Sequence, residues 1–141
     1  MLILIILIIF LSFVDCSDNP KVQCSTTKGD LLIEIYPEWA PLGASRFLEL
    51  VQDQFYTNIA FFRCVKHFLT QFGITEDITK KHWHNNQIKD DPNLHLGIKQ
   101  NYLSFAGGGP NTRSTQLFIA FEDLDFLGNE PWETPFGIRY T

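Results

Sequence analysis

Positive charge is sparse in this chain. Its 141 residues carry 11 Lys and Arg against 16 Asp and Glu, and the basic residues are scattered, with no run longer than Lys80–Lys81. Such a balance leaves no electrostatic footprint for a phosphate backbone, which excludes nucleic acid as a partner class. Cysteine is equally scarce. Of the three, Cys16 closes an N-terminal apolar run, and Cys24 and Cys64 have no CxxC neighbour for zinc or dithiol chemistry. They read as two separately buried small hydrophobes or, in an oxidising compartment, as a pair. No GxSxG elbow occurs, and no Ser or Cys sits beside a recognisable base, so covalent catalysis lacks a nucleophile. The loop GGGPNTRST (107–115) lacks the lysine of a GxxxxGK[ST] phosphate cradle, which leaves a tight turn with exposed amides suited to an extended peptide carbonyl. His82, His84 and His95 have no third ligand at metal spacing and read as solvated loop residues, so no metal site is expected. Glu122 and Asp123 read as solvent-facing rather than as an acid/base pair.

What is present points to one globular domain. Apolar residues make up 45% and charged residues 19%, a composition that folds rather than staying disordered. Thirteen Phe predict aromatic packing or an aromatic-lined pocket. Residues 2–14, LILIILIIFLSFV, are uncharged and too short for a comfortable bilayer span, but they match the apolar region of a signal peptide. Val14 and Cys16 fit the −3 and −1 positions of a cleavage before Ser17, so residues 1–16 are expected to be a signal peptide leading into the secretory pathway. An uncleaved segment would be the chain's only membrane contact.

Hydrophobic periodicity predicts mainly β structure. VQCSTT, KGD and LLIEIY form a hairpin turning at Gly29, with Leu31, Ile33 and Ile35 on one face. Pro41 opens a helix, PLGASRFLELVQDQF, whose Ala44, Phe47, Leu48 and Val51 recur at helical spacing. Two short strands over 59–74 break near Lys66–His67, and 75–97 reads as a long polar loop. Strands follow at 101–106, at 116–121 and from 136 onward. Many short strands with one helix indicate a barrel or sandwich.

One stretch resists this pattern. FFRCVKHFLTQFGI (61–74) is apolar yet contains Arg63 and Gln71, side chains that a half-buried strand excludes unless something pairs with them. At period two, Arg63 shares a face with Phe61 and Val65, while Phe62 and Cys64 point the other way. Either Arg63 and Gln71 are solvated edge residues, or they point into a groove built to use them.

The segment FFRCVKHFLTQFG resembles the cyclophilin pattern in which FHRVI precedes a phenylalanine and QGG. LSFAGGGPNTRSTQLFI is similar to the same family's LSMA…GPNT..SQFFI segment, and the order of elements also matches over roughly residues 22–140. The resemblance implies a closed, antiparallel eight-stranded barrel with flanking helices, occupying 21–141 as a cyclophilin-like domain. The chain reaches Thr141 just into the PFG strand, so the C-terminal helix and closing strand are expected to be missing, which would leave an edge unpaired.

It also implies peptidyl-prolyl cis-trans isomerase activity on proline-containing peptides or folding client proteins, by a monomer that needs no cofactor. Carried over residue by residue, Arg63 donates toward the prolyl nitrogen and Gln71 orients it. Phe68, Phe118 and Leu127 line the proline pocket, with Phe126 on its rim. Ala106 and the Gly107 backbone hold the preceding residue, and Gln116 closes one side. Departures are equally visible: Gly107 replaces the usual asparagine, Phe126 the usual rim tryptophan and Phe62 the histidine of FHR, while Glu130, Pro131 and Trp132 occupy the region of another family histidine. These changes leave an alternative open, a weakly active or inactive proline-peptide binder of the same fold.

Overall fold

The computed structural model describes residues 18–140. The expected signal peptide therefore lies outside the described residues. Seven antiparallel strands form one curved sheet: β1 (Lys21–Thr26), β2 (Gly29–Ile35), β3 (Arg63–Val65), β4 (Leu69–Phe72), β5 (Tyr102–Phe105), β6 (Leu117–Ala120) and β7 (Gly137–Tyr140). Their spatial order is β1-β2-β7-β5-β6-β4-β3. Two helices accompany them, α1 (Pro41–Gln52) and the single turn α2 (His82–Asn85). The hairpin and the Pro41 helix form as the sequence predicts, and no closing strand or C-terminal helix occurs among the described residues.

Both faces of the sheet are apolar, which explains why β6 reads as an uninterrupted hydrophobic run. Leu117 and Ile119 turn inward to a core with Ile33, Ile35, Phe72, Leu103, Phe105 and Phe136, on which α1 lays Ala44 and Phe47. The alternate residues Phe118 and Ala120 turn outward to a second cluster with Leu69, Ile98 and Leu124. Side-chain alternation thus gives one strand to two cores.

At the sheet's ends, β1 pairs with β2 and β3 with β4, and neither has a second partner among the described residues. Near these two edges lies a groove of about 550 Å³, lined by Cys24, Thr26, Ile33, Phe61 and Phe72. Phe61 corrects the period-two reading. It packs on Phe72, with ring centroids 4.9 Å apart, and so faces inward instead of sharing the face of Arg63. The strand begins only at Arg63, so alternation does not extend back to position 61. The cysteines also differ from expectation. Both are free thiols; Cys64 is exposed and Cys24 half-buried, because each lies on an edge strand.

The region 75–97 is more ordered than a loop. Asp77 caps a tight helical turn over Ile78–Lys80 by accepting from Thr79 N at 2.9 Å, and α2 follows. His84 is not a solvated loop residue: its Nδ1 lies 2.9 Å from Thr115 Oγ1, and its ring meets Phe55 edge-on. Thr115 Oγ1 already donates to Gly73 O, so the histidine nitrogen donates to the hydroxyl.

Candidate active site

Strand register builds the site. Arg63 stands opposite Gln71, and Gln71 opposite Phe118, which makes one row across β3, β4 and β6. Directly paired residues share a face, so these three side chains emerge together on the outer side of the sheet. Arg63 Nη1 donates to Gln71 Oε1 at 3.3 Å, and Gln71 Nε2 donates to Gln116 Oε1 at 3.1 Å. The glutamine thus holds the guanidinium with its carbonyl and anchors itself with its amide. Arg63 also lies over the ring of Phe68, 5.6 Å from the centroid, an arrangement favoured by the ring's negative face.

Arg63 itself is exposed, so most of its donors face solvent. A planar cation held on one edge by Gln71 and on its face by Phe68 still presents N–H groups to an incoming acceptor. Beside it lies an apolar surface. Phe68, Ala106 and Leu127 are half-buried against the outer cluster that contains Phe118. Phe126, 67% exposed, lies over Phe68 with centroids 5.7 Å apart and planes at 29°. Ala106 N donates to Gln116 O at 2.9 Å, which joins the Ala106–Gly107 segment to the glutamine chain. Hydrogen bonds thus link Arg63, Gln71, Gln116 and Ala106, with Gly107 next in the chain, while Phe68, Phe126, Phe118 and Leu127 belong to the apolar surface and cluster beside them.

Gly107 has a packing reason. A Cβ there would sit 3.2 Å from Trp132 Cβ and Cδ1 and 3.3 Å from Arg113 Cγ. The indole comes from a tight helical turn, Pro131–Glu133, which is itself fixed from two sides. Ser104 Oγ donates to Glu133 O at 3.0 Å, and the Glu133 carboxylate accepts from Gly128, Asn129 and Glu130 amides. Trp132 thus occupies space that a side chain at 107 would need.

Behind this segment sits a residue that local pattern missed. Arg113 is only 1% exposed, yet its Nη1 donates to Asp91 Oδ2 at 2.9 Å and its Nη2 to the carbonyl of Lys89. Asp90 Oδ1 lies 3.5 Å from Arg113 Nε, and the guanidinium stands 5.7 Å from the Phe105 centroid. Asp91 has a second task. The N-cap of α1 is Ala40, which has no side chain to cap the helix, and Asp91 accepts from Leu42 N at 2.8 Å and Gly43 N at 2.9 Å instead. An anion at a helix N-terminus meets both unsatisfied amides and the helix dipole. The sequence held one signal for this: a helix opening Ala-Pro has no capping side chain and calls for a distant acceptor.

No group of three His, Cys, Asp or Glu side chains is arranged to hold a metal ion among the described residues. Carboxylates near the sheet serve local ends. Asp123 accepts from Gln100 N at 2.9 Å, and this bond, with Lys99 nearby, holds its carboxyl below the usual carboxylate range. Glu122 faces solvent as expected and pairs there with His67 Nδ1.

An outer-face arginine thus lies beside a phenylalanine-lined surface on an antiparallel, barrel-like sheet. The family model for cyclophilin type peptidyl-prolyl cis-trans isomerase/CLD matches residues 21–138, and the chain belongs to this family. It is 33% identical over 129 residues to the peptidyl-prolyl cis-trans isomerase CYP65 of Arabidopsis thaliana, an alignment covering 84% of this chain and 21% of that protein. Against the peptidyl-prolyl cis-trans isomerase-like 2 of Gibberella zeae it is 34% identical, over 82% of this chain and 20% of the relative. The chain thus spans about a fifth of the length of these two relatives. A cyclophilin type isomerase of Cryptosporidium parvum, crystallised in the presence of the dipeptide Ala-Pro, superimposes with a TM-score of 0.72 at 25% identity, covering 86% of this chain and 79% of that one.

Proposed function

We propose that the domain accelerates cis-trans isomerisation of X–Pro bonds in extended peptides and folding clients, with Arg63 as the catalytic donor. The observation that carries this reading is the row Arg63–Gln71–Phe118, tied to Gln116 and flanked by Phe68 and Leu127. The barrier to rotation is about 18–20 kcal/mol and comes from conjugation between the imide nitrogen and the carbonyl. Donation from the guanidinium to that nitrogen localises its lone pair as the bond twists, so the interaction is stronger in the transition state than in the ground state. The proline ring rests on Phe68, Phe118 and Leu127 under the rim residue Phe126, while the Ala106–Gly107 backbone holds the residue before it. No heavy-atom bond breaks, so no cofactor enters the mechanism.

A protease-coupled assay on an X–Pro peptide tests this. The wild-type domain is expected to accelerate isomerisation, and Arg63→Ala to lower kcat/KM by about a hundredfold, the usual loss for one transition-state donor. Equal rates for the two proteins, or none from either, would overturn it. A second reading, peptide binding without acceleration, is favoured by Gly107, where no side chain is present to contact the peptide; calorimetric binding with no rate enhancement would select it. For location we propose the secretory pathway, on the basis of the uncharged run at residues 2–14. N-terminal sequencing of the expressed product should begin at Ser17, and a retained Met1 argues against it.

A further inference from the structure

Resting on the reading that Ala106 and Gly107 hold the residue preceding proline, we propose that the buried Arg113–Asp91 pair is a positioning device for that rim. Its role is to set how the domain engages residues on the N-terminal side of the target proline. Two separate pieces of chain, the arm 88–91 and β5, converge on the Arg113 guanidinium. Asp91 bonds it and caps α1 through Leu42 N and Gly43 N, the Lys89 carbonyl takes its other terminal nitrogen, and Phe105 lies beneath it. Main chain reinforces the same junction: Ile88 N donates to Arg113 O at 2.8 Å, while Asn111 and Asp90 exchange bonds at 2.9 and 3.1 Å. The loop 107–113 is therefore riveted at its far end to the arm 88–91 and to the helix.

The near end of that loop is the rim. The Arg113 stem and Trp132 both come within about a carbon–carbon contact of the Gly107 α-carbon's missing substituent, at 3.3 and 3.2 Å. Gly107 is thus pressed between a side chain whose head is locked and an indole whose helical turn is locked. Gly108 and Gly109 have no such neighbours. Backbone without side chains is otherwise free to move, so the precision of the rim comes from outside it. Releasing Arg113 loosens the strand of backbone that a substrate residue lies against, but it touches neither Arg63 nor the proline surface.

This separation gives a test based on peptide length. Two probes are used, N-acetylproline, which places no residue before the proline, and a peptide carrying four residues before it. Affinity is measured by calorimetry, and isomer exchange by NMR. The variants are Arg113→Lys, and Arg113→Leu with Asp90→Asn and Asp91→Asn, which removes the arginine and both facing carboxylate charges together so that none is stranded. The wild type is expected to bind the longer peptide more tightly. In the variants that advantage should fall by about tenfold, while N-acetylproline affinity stays within about twofold and Arg63→Ala remains the larger loss in exchange rate. A merely structural role would weaken both probes in parallel with the melting temperature. A parallel loss, or an unchanged length advantage in whichever variant folds, overturns the inference. If the wild type binds neither probe, the isomerase reading itself fails.

Discussion

Two arginines divide the molecule into regions of opposite character. Arg63 opens an edge strand, is exposed, and its guanidinium makes one hydrogen bond among the described residues, to Gln71 at 3.3 Å. Arg113 is buried and engages two aspartates and a carbonyl. A cation out of water is tolerated only when charge and geometry compensate for its lost hydration, so Arg113 is committed to its partners. Arg63 keeps its hydration and its spare donors, which leaves it available to an incoming peptide. On the proposed reading, the working cation stands where folding does not need it, and the folding cation where a substrate does not reach.

The sharpest way to break this contrast is to truncate each residue in turn. Arg113→Ala strands Asp91 in the interior and is expected to cost about 3–5 kcal/mol in urea unfolding. Arg63→Ala should shift the same midpoint by no more than about 0.5 kcal/mol, as surface substitutions do. Next in size is Gly107→Asn, which restores the residue usual in the family at this position. Its Cβ would press on Trp132 and the Arg113 stem, with an expected loss of about 1–3 kcal/mol and a changed Trp132 fluorescence. Trp132→Ala in the same chain should recover part of that loss if the indole is the obstacle.

The smallest effect separates the buried aspartate from a solvated one. Asp123, 3.4 Å from Lys99 Nζ and bonded to Gln100 N, has its carboxyl pKa lowered mainly by that amide. A lowered pKa in the folded state means its stabilisation is present above the unfolded value and lost as pH falls through the folded one. Carboxyl titration by NMR should find Asp123 below the ordinary carboxylate midpoint. Its loss on Asp123→Asn should be minor beside that of Asp91→Asn, which sits within the buried pair.

Sequence reading picked out the exposed Arg63–Gln71 pair better than the buried Arg113–Asp91 pair, for a physical reason. Arg63 and Gln71 stand out because they interrupt a local apolar run, and their eight-residue separation is what antiparallel pairing across the turn at His67 requires. Pro41 and helical spacing likewise announce α1 from within a few residues. Arg113 and Asp91 are 22 residues apart, and each looks like an ordinary polar loop residue in its own neighbourhood. Burial of that pair, of Arg46 against the carbonyl of Asn86, and of His84 against Thr115 arises from contacts between distant segments, which no local period encodes. Phe61 failed for a related reason: alternation holds only inside a strand, and β3 starts two residues later.

The ladder between β3 and β4 pairs Arg63 with Gln71, Cys64 with Thr70 and Val65 with Leu69, and it is the whole of β3. Side chains alternate faces, so a slip of one residue would carry the guanidinium to the opposite side of the sheet while the rest of the protein stayed folded. The proposed role of Arg63 thereby ties turnover to the local opening equilibrium of a short edge strand, separate from the global stability that Arg113 supports. Amide exchange in β3 would read that equilibrium directly, and measuring it alongside turnover tests whether the two rise and fall together.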